Sequence, residues 1–208
     1  MRVKEKFDNK LLVEGGDDMH VVWALCKKFK IKENFDVINC DGIDNLIPQI
    51  PIRFKQSQVK TIGIIIDADS DILTRWETLK KSFILNDIKI PKNIPKNGLI
   101  LVTLGKIKVG IWIMPNNNNL GMLEDFISFL VPKNDALFKK AGETLNQIEV
   151  ENLNNYLLIH KSKALINTWL AWQKDSGTPM GHAITKKYLD IEDENCKRFI
   201  DWIKNLFG

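Results

Sequence analysis

The sequence predicts an α/β fold: a mostly parallel sheet flanked by helices, with a helical extension at the C-terminus. Three observations carry this expectation. Short apolar runs suited to buried strands alternate with segments of helical periodicity over residues 10–131. The clearest run, Thr61–Asp67 (TIGIIID), is apolar almost throughout, as a strand covered on both faces requires. From about Pro132 onward only helical patterning remains.

Taken in order, Lys10–Glu14 (KLLVE) reads as a buried strand, broken by the glycines at 15 and 16. Asp17 and Asp18 begin a helix that runs to about Lys30, with Val21, Val22, Leu25 and Phe29 on its apolar side. Phe35–Asn39 is a second strand. Asp44 is placed to cap a helix that Pro48 and Pro51 would break. A helix from about Asp71 to Phe83 follows the TIGIIID strand. Leu99–Leu104 and Val109–Met114 are two further strands joined around Gly105 and Lys106, a spacing that predicts a hairpin and hence one antiparallel strand. Gly121–Val131 opens the next helix. Ala164–Trp172 and Glu192–Phe207 are amphipathic helices, and their tryptophans at 169, 172 and 202 are expected in the core. Residues 1–131 would form the α/β part and residues 132–208 the extension packed on it, together one compact unit.

Composition narrows the class. Apolar residues make up 44% and charged residues 27% of the 208, the balance of a soluble globular chain. A net charge of +4 and a pI near 8.8 favour a polyanionic partner only weakly. The lysines are spread out (Lys27, Lys28, Lys80, Lys81, Lys139, Lys140, Lys186 and Lys187 among them) and read as solvated helix faces. Cys26, Cys40 and Cys196 are odd in number and include no CxxC pair, which points to reduced thiols in a cytoplasm. No apolar run approaches the roughly 20 residues of a membrane span, and MRVKEKFDNK has no signal-peptide core. His20, His160 and His182 share no metal-ligand spacing, and no Walker loop, GxGxxG or GxSxG occurs.

The chemistry lies in the acids. Ligands of open α/β sheets bind beyond the C-terminal ends of the strands. Here the first strand ends in Glu14, followed by Asp17 and Asp18. The TIGIIID strand ends in Asp67, followed by Asp69 and Asp71. The MetPro at 114–115 leads through four asparagines to Glu124 and Asp125. Carboxylates brought to about 4 Å repel by about 1–4 kcal/mol per pair. A hard divalent cation such as Mg²⁺ relieves that repulsion. If the extended chain persists past Ile66, Asp67, Asp69 and Asp71 point to one side. Plainer roles exist for some of these groups. Asp17 and Asp18 also suit a helix N-terminus, Asp71 an N-cap, and Asp125 a surface acid.

The pairing of LLVEGGDD with IIIDADSD resembles the Toprim domain of topoisomerases, bacterial primases and the overcoming-lysogenization-defect nucleases. IWIMPNNNNLGMLEDF at 111–126 and KSKALINTWLAWQKDSGTPMGHAITKKYLD at 161–190 resemble a family of small standalone Toprim-like prokaryotic proteins, DUF3226. The resemblance implies a Toprim-like sheet. It implies Glu14 as metal ligand or general acid/base, Asp67 and Asp69 as the DxD metal pair, and Asp71 as its extension. Asp18 and Glu124 would serve a second metal, and Lys161 or Lys163 would assist catalysis. In members of the small family an aspartate tends to follow the MP proline, whereas this chain has Asn116.

The expected activity is therefore that of a Mg²⁺- or Mn²⁺-dependent nuclease or phosphodiesterase acting on DNA or RNA. The alternative is a non-catalytic metal-binding module that binds nucleic acid or a partner such as an ATPase, with a homodimer also compatible. A DxD phosphotransferase of the haloacid-dehalogenase type, or a receiver-type phosphoacceptor, fits less well. The DxD of the former usually lies near the N-terminus, and Glu14 would go unexplained.

Overall fold

The computed structural model describes residues 5–84 and 88–208, so residues 1–4 of the N-terminal stretch read for a signal core lie outside it. Five strands form a single sheet in the order β2-β1-β3-β5-β4. Four of them, β1 (Asn9–Val13), β2 (Asp36–Asn39), β3 (Thr61–Asp67) and β5 (Lys108–Met114), run parallel. The edge strand β4 (Leu99–Val102) pairs antiparallel with β5, the hairpin expected from the short link between them.

Three helices connect the parallel strands or follow them: α1 (Gly16–Lys28), α2 (Ile43–Phe54) and α3 (Ile72–Ile84). The remainder is α4 (Leu123–Phe129), α5 (Ala136–Val150), a 3₁₀ turn (Leu158–His160), α6 (Lys161–Ala171), α7 (Met180–Thr185) and α8 (Glu194–Phe207). Among the described residues no helix is long and apolar enough to cross a membrane.

Strand alternation divides the core in two. Leu12, Ile62, Ile64, Ile66, Val109, Ile111 and Ile113 point to α2 and α3, where Leu46, Ile50, Trp76, Leu79 and Phe83 close over them. Leu11, Val13, Ile65, Trp112 and Met114 point the other way, to α1, α4, α6, α7 and α8. On that second face Gly63 and Gly110 are register partners in adjacent strands. A Cβ at Gly63 would stand 2.9 Å from Leu206 Cδ2, and one at Gly110 would stand 2.5 Å from it. The two glycines thus form a trough that receives α8. Trp202 seals the trough, donating its Nε1 hydrogen to the Leu99 carbonyl at 3.0 Å. The C-terminal helices are therefore one of the two layers that bury the sheet.

Two expectations need correction. Helix α2 runs unbroken through Pro48 and Pro51. Its buried residues Leu46, Ile50 and Arg53 lie at helical spacing, and their packing outweighs a cost of roughly 3 kcal/mol for an interior proline. Trp172 is not core: it caps the C-terminus of α6 and is 42% exposed, whereas Trp169 and Trp202 are buried.

Candidate active site

Parallel pairing brings the C-terminal ends of β1, β3 and β5 to one edge of the sheet. Glu14 immediately follows β1, and its Oε1 accepts the backbone N–H of Asp67 at 2.8 Å. The two strand ends are thereby joined through a side chain. Asp18 sits at the third position of α1, and its Oδ2 accepts the Gly15 N–H at 3.0 Å. That is half of a capping box, since Gly15 has no side chain to return the bond.

The loop after β3 turns sharply. Asp69 takes a left-handed φ of 50° and exchanges backbone hydrogen bonds with Gly121, each 2.9 Å long. This bridge ties the DxD loop to the segment that enters α4. Gly121 has φ 125°, and a Cβ there would strike the Asp125 carboxylate, so glycine is required. Asp125 itself accepts the Met122 N–H at 2.8 Å and serves to start α4. Its neighbour Glu124 points inward and is only 6% exposed.

The electrostatics separate this cluster from the other carboxyls. Burial, followed by Glu14 and Glu124, pushes Asp18 up to about 7. Burial, then the charges of Asp18, Glu14, Asp69 and Glu124, holds Asp67 well above the carboxylate range. The Oδ1 of Asp67 is shut off from solvent and has no hydrogen-bond partner. Glu14 and Glu124 are also raised, each mainly by burial. Every carboxyl held above its ordinary range among the described residues belongs to this cluster. Glu5, Asp36, Glu149 and Asp175, which have cationic partners, lie below theirs.

Two cations border the acids. Arg75, in the first turn of α3, forms an ion pair with Asp69 and also lowers Glu14 through its charge. Lys163 Nζ lies 3.8 Å from Glu124 Oε1. The sequence left Lys161 and Lys163 equivalent, and the fold separates them. Lys161 turns to α5 and bonds Glu149 Oε2 and Asn146 Oδ1, both at 2.7 Å.

The profile of a family described as "Protein of unknown function (DUF3226)" matches residues 8–208. The chain belongs to the DUF3226 family. No curated protein and no solved structure matches it. In this DUF3226 protein the two long stretches that carry the family resemblance meet at the site. The 111–126 stretch supplies Glu124, and the 161–190 stretch supplies Lys163.

Not every acid read from the sequence converges. Asp71 does not extend the cluster, because the left-handed turn at Asp69 ends the extended run. Its Oδ1 instead accepts the N–H groups of Leu73 and Thr74, both at 3.0 Å, the capping role that the sequence allowed for. Asn116 is engaged elsewhere: its Oδ1 accepts the N–H of Asn119 at 2.9 Å, and its amide donates to Asn195 Oδ1 of α8 at 3.5 Å. Neighbouring Asn117 accepts the Ile113 N–H at 2.7 Å. The three histidines are exposed.

A divalent ion suits the donor chemistry of this DUF3226 site, since all its acids are hard oxygen ligands and one buried oxygen of Asp67 is unpartnered. The cage is not preassembled. Among the described residues no three His, Cys, Asp or Glu side chains stand together as a metal-binding group. The geometry gives a reason: one oxygen each of Glu14 and Asp18 is held by a backbone donor, and Asp69 is held by Arg75. Arg75 is the residue that sequence reading missed. It becomes significant only once the turn at Asp69 folds the helix start back toward the strand end.

Proposed function

We propose that this protein is a divalent-metal-dependent phosphodiesterase acting on nucleic acid, with Mg²⁺ or Mn²⁺ as its ion. One observation carries the reading: Glu14, Asp18, Asp67 and Glu124 are gathered at one sheet edge, and all four are held above the ordinary carboxyl range. Packing alone gives no return for this repulsion, whereas cation binding does. The likeness to the Toprim domain points the same way.

In this reading Asp67 and Asp69 hold one ion, and Asp18 with Glu124 a second. When bound, such ions polarise a phosphodiester and lower the pKa of water. The chain's own groups do the rest. Glu14, half-buried and raised in pKa, is placed to take a proton from water. Its bond to the Asp67 N–H fixes its direction. Lys163 and Arg75 supply positive charge at the rim, where a phosphate oxyanion is stabilised.

The second reading is a metal-binding module without catalysis, engaging nucleic acid or a partner protein such as an ATPase. What favours it is the Arg75–Asp69 pair, which occupies one of the DxD carboxylates. Cutting of labelled strands by the natural chain, as against retention of the strands without cutting, separates the two, and Asp67→Asn ties any cutting to the site. In that variant the phosphodiesterase reading expects Mn²⁺ binding to weaken and cutting of labelled strands to vanish. Cutting that survives in Asp67→Asn contradicts it.

A further inference from the structure

Beside the acidic cluster lies an open groove of about 420 Å³, lined by Tyr156, His160, Lys163, Ala164 and Asn167. Four of these residues share one face of the helix: positions 160, 163, 164 and 167 follow the i, i+3, i+4, i+7 pattern on α6 and its cap. Lys163 belongs to both places, since it lines the groove and stands 3.8 Å from Glu124. A ligand in the groove is thus one side chain away from the acids.

We propose that this groove is a nucleotide-binding subsite, seating one unpaired nucleotide of a nucleic-acid strand next to the acidic cluster. The inference rests on the phosphodiesterase reading and adds its substrate form. A phosphodiester strand is repelled by the clustered carboxylates, so it must approach along a cation, and Lys163 marks that path. The groove supplies what a nucleotide needs. Lys163 meets a phosphate. The Asn167 amide both donates and accepts, and so matches a base edge. Ala164 keeps the floor low. Tyr156 offers a ring for a base to lie on.

That ring is held in place. The Tyr156 hydroxyl donates to Glu149 Oε1 at 2.6 Å, and Lys161 grips the other oxygen, Oε2, at 2.7 Å. The phenol is pushed up to about 12 by burial and by Glu149, so it remains a donor at neutral pH. This gives Lys161 its place: it is a positioning residue for the groove wall. An unpaired strand is specified because the bases of a duplex are stacked inside it and their faces are out of reach of a side-chain platform. The volume also suits a small-molecule-sized group and not a double helix.

The test is fluorescence anisotropy of the full chain with labelled oligothymidylate, labelled oligouridylate and a duplex of equal length. It is read in Ca²⁺ and in EDTA, so that binding is followed apart from Mg²⁺- or Mn²⁺-supported cutting. The expected result is tighter binding of a single strand than of the duplex. Tyr156→Ala and Asn167→Ala should each weaken single-strand binding about tenfold, and Tyr156→Phe should lose less than Tyr156→Ala. Asn167 is exposed on α6, so its variant tests the subsite even if Tyr156→Ala unfolds. Affinity within about twofold of the natural chain in Asn167→Ala, equal binding of the duplex, or no binding of any probe overturns the proposal. The two readings fail separately. Groove-dependent strand binding by a chain that never cuts retires the phosphodiesterase reading and leaves the subsite. Asp67-dependent cutting with affinities indifferent to the groove does the reverse.

Discussion

The Glu14 carboxylate accepts the backbone N–H of Asp67 at 2.8 Å, so the acid that ends β1 is oriented by the acid that ends β3. Glu14→Gln keeps an acceptor for that N–H, and Glu14→Ala removes it. A donor left unpaired in this part-buried setting costs about 1–3 kcal/mol. Thermal unfolding should therefore show a lower midpoint for Glu14→Ala and a nearly natural one for Glu14→Gln. Both variants should lose metal-dependent cutting. A Gln variant that cuts normally would show that the charge of Glu14 is not needed.

Asp18 makes stability depend on pH in a defined direction. Its folded pKa, about 7, exceeds the ordinary 3.8, so the folded protein binds the proton more tightly than the unfolded chain does. Its contribution is full below about pH 4 and is lost as pH rises toward 7. Asp67, Glu14 and Glu124 shift in the same direction. Carboxyls with lowered values, such as Asp36 and Asp175, titrate below this window and do not offset it. Denaturant unfolding in EDTA should show stability falling from pH 5 to pH 7. The slope should flatten in Asp18→Asn, which retains an acceptor for the Gly15 N–H, and Mn²⁺ should restore stability at pH 7. A slope unchanged in Asp18→Asn contradicts the assignment.

Arg75 pairs with Asp69, and in the proposed ion site it would compete with the cation for that carboxylate. The pair is partly exposed, so its worth is about 1 kcal/mol. Arg75→Ala should tighten Mn²⁺ binding about fivefold in a calorimetric titration while slowing any cutting, because the rim loses positive charge. Weaker Mn²⁺ binding in the variant would show that Arg75 supports the ion site instead of blocking it.

The trough under α8 predicts a stability effect remote from the acids. Gly110→Ala places a methyl group 2.5 Å from Leu206 Cδ2 and should cost about 1–3 kcal/mol. Leu206→Ala costs stability by leaving a cavity. Because the added methyl and the removed side chain compete for the same space, the double variant should be less destabilised than the sum of the singles. Additive costs would place the clash elsewhere.

The framework was legible because its signals are local and repeated. The apolar run of TIGIIID marked a strand buried on both faces, and the short link from β4 to β5 marked the hairpin. Glu14, Asp67 and Glu124 were readable as acids at strand ends, since the α/β rule states where such ends go. What failed depends on single backbone angles or on packing. The left-handed φ of Asp69 turned Asp71 away from the site, and no residue pattern announces that angle. Core contacts at Leu46 and Ile50 carried α2 through its prolines. The choice between Lys161 and Lys163 required knowing that Glu149 of α5 faces one lysine and Glu124 of α4 the other.

The role proposed for the acids at the β1 and β3 ends is that of a metal-dependent phosphodiesterase centre. Its most direct test incubates the purified protein with supercoiled plasmid and with labelled single strands in Mn²⁺, in Mg²⁺ and in EDTA. A Glu14→Ala/Asp67→Ala double variant, purified identically, runs beside it. Cutting is expected in Mn²⁺ or Mg²⁺, absent in EDTA and absent in the variant. No cutting in either metal, or equal cutting by the variant, would contradict it.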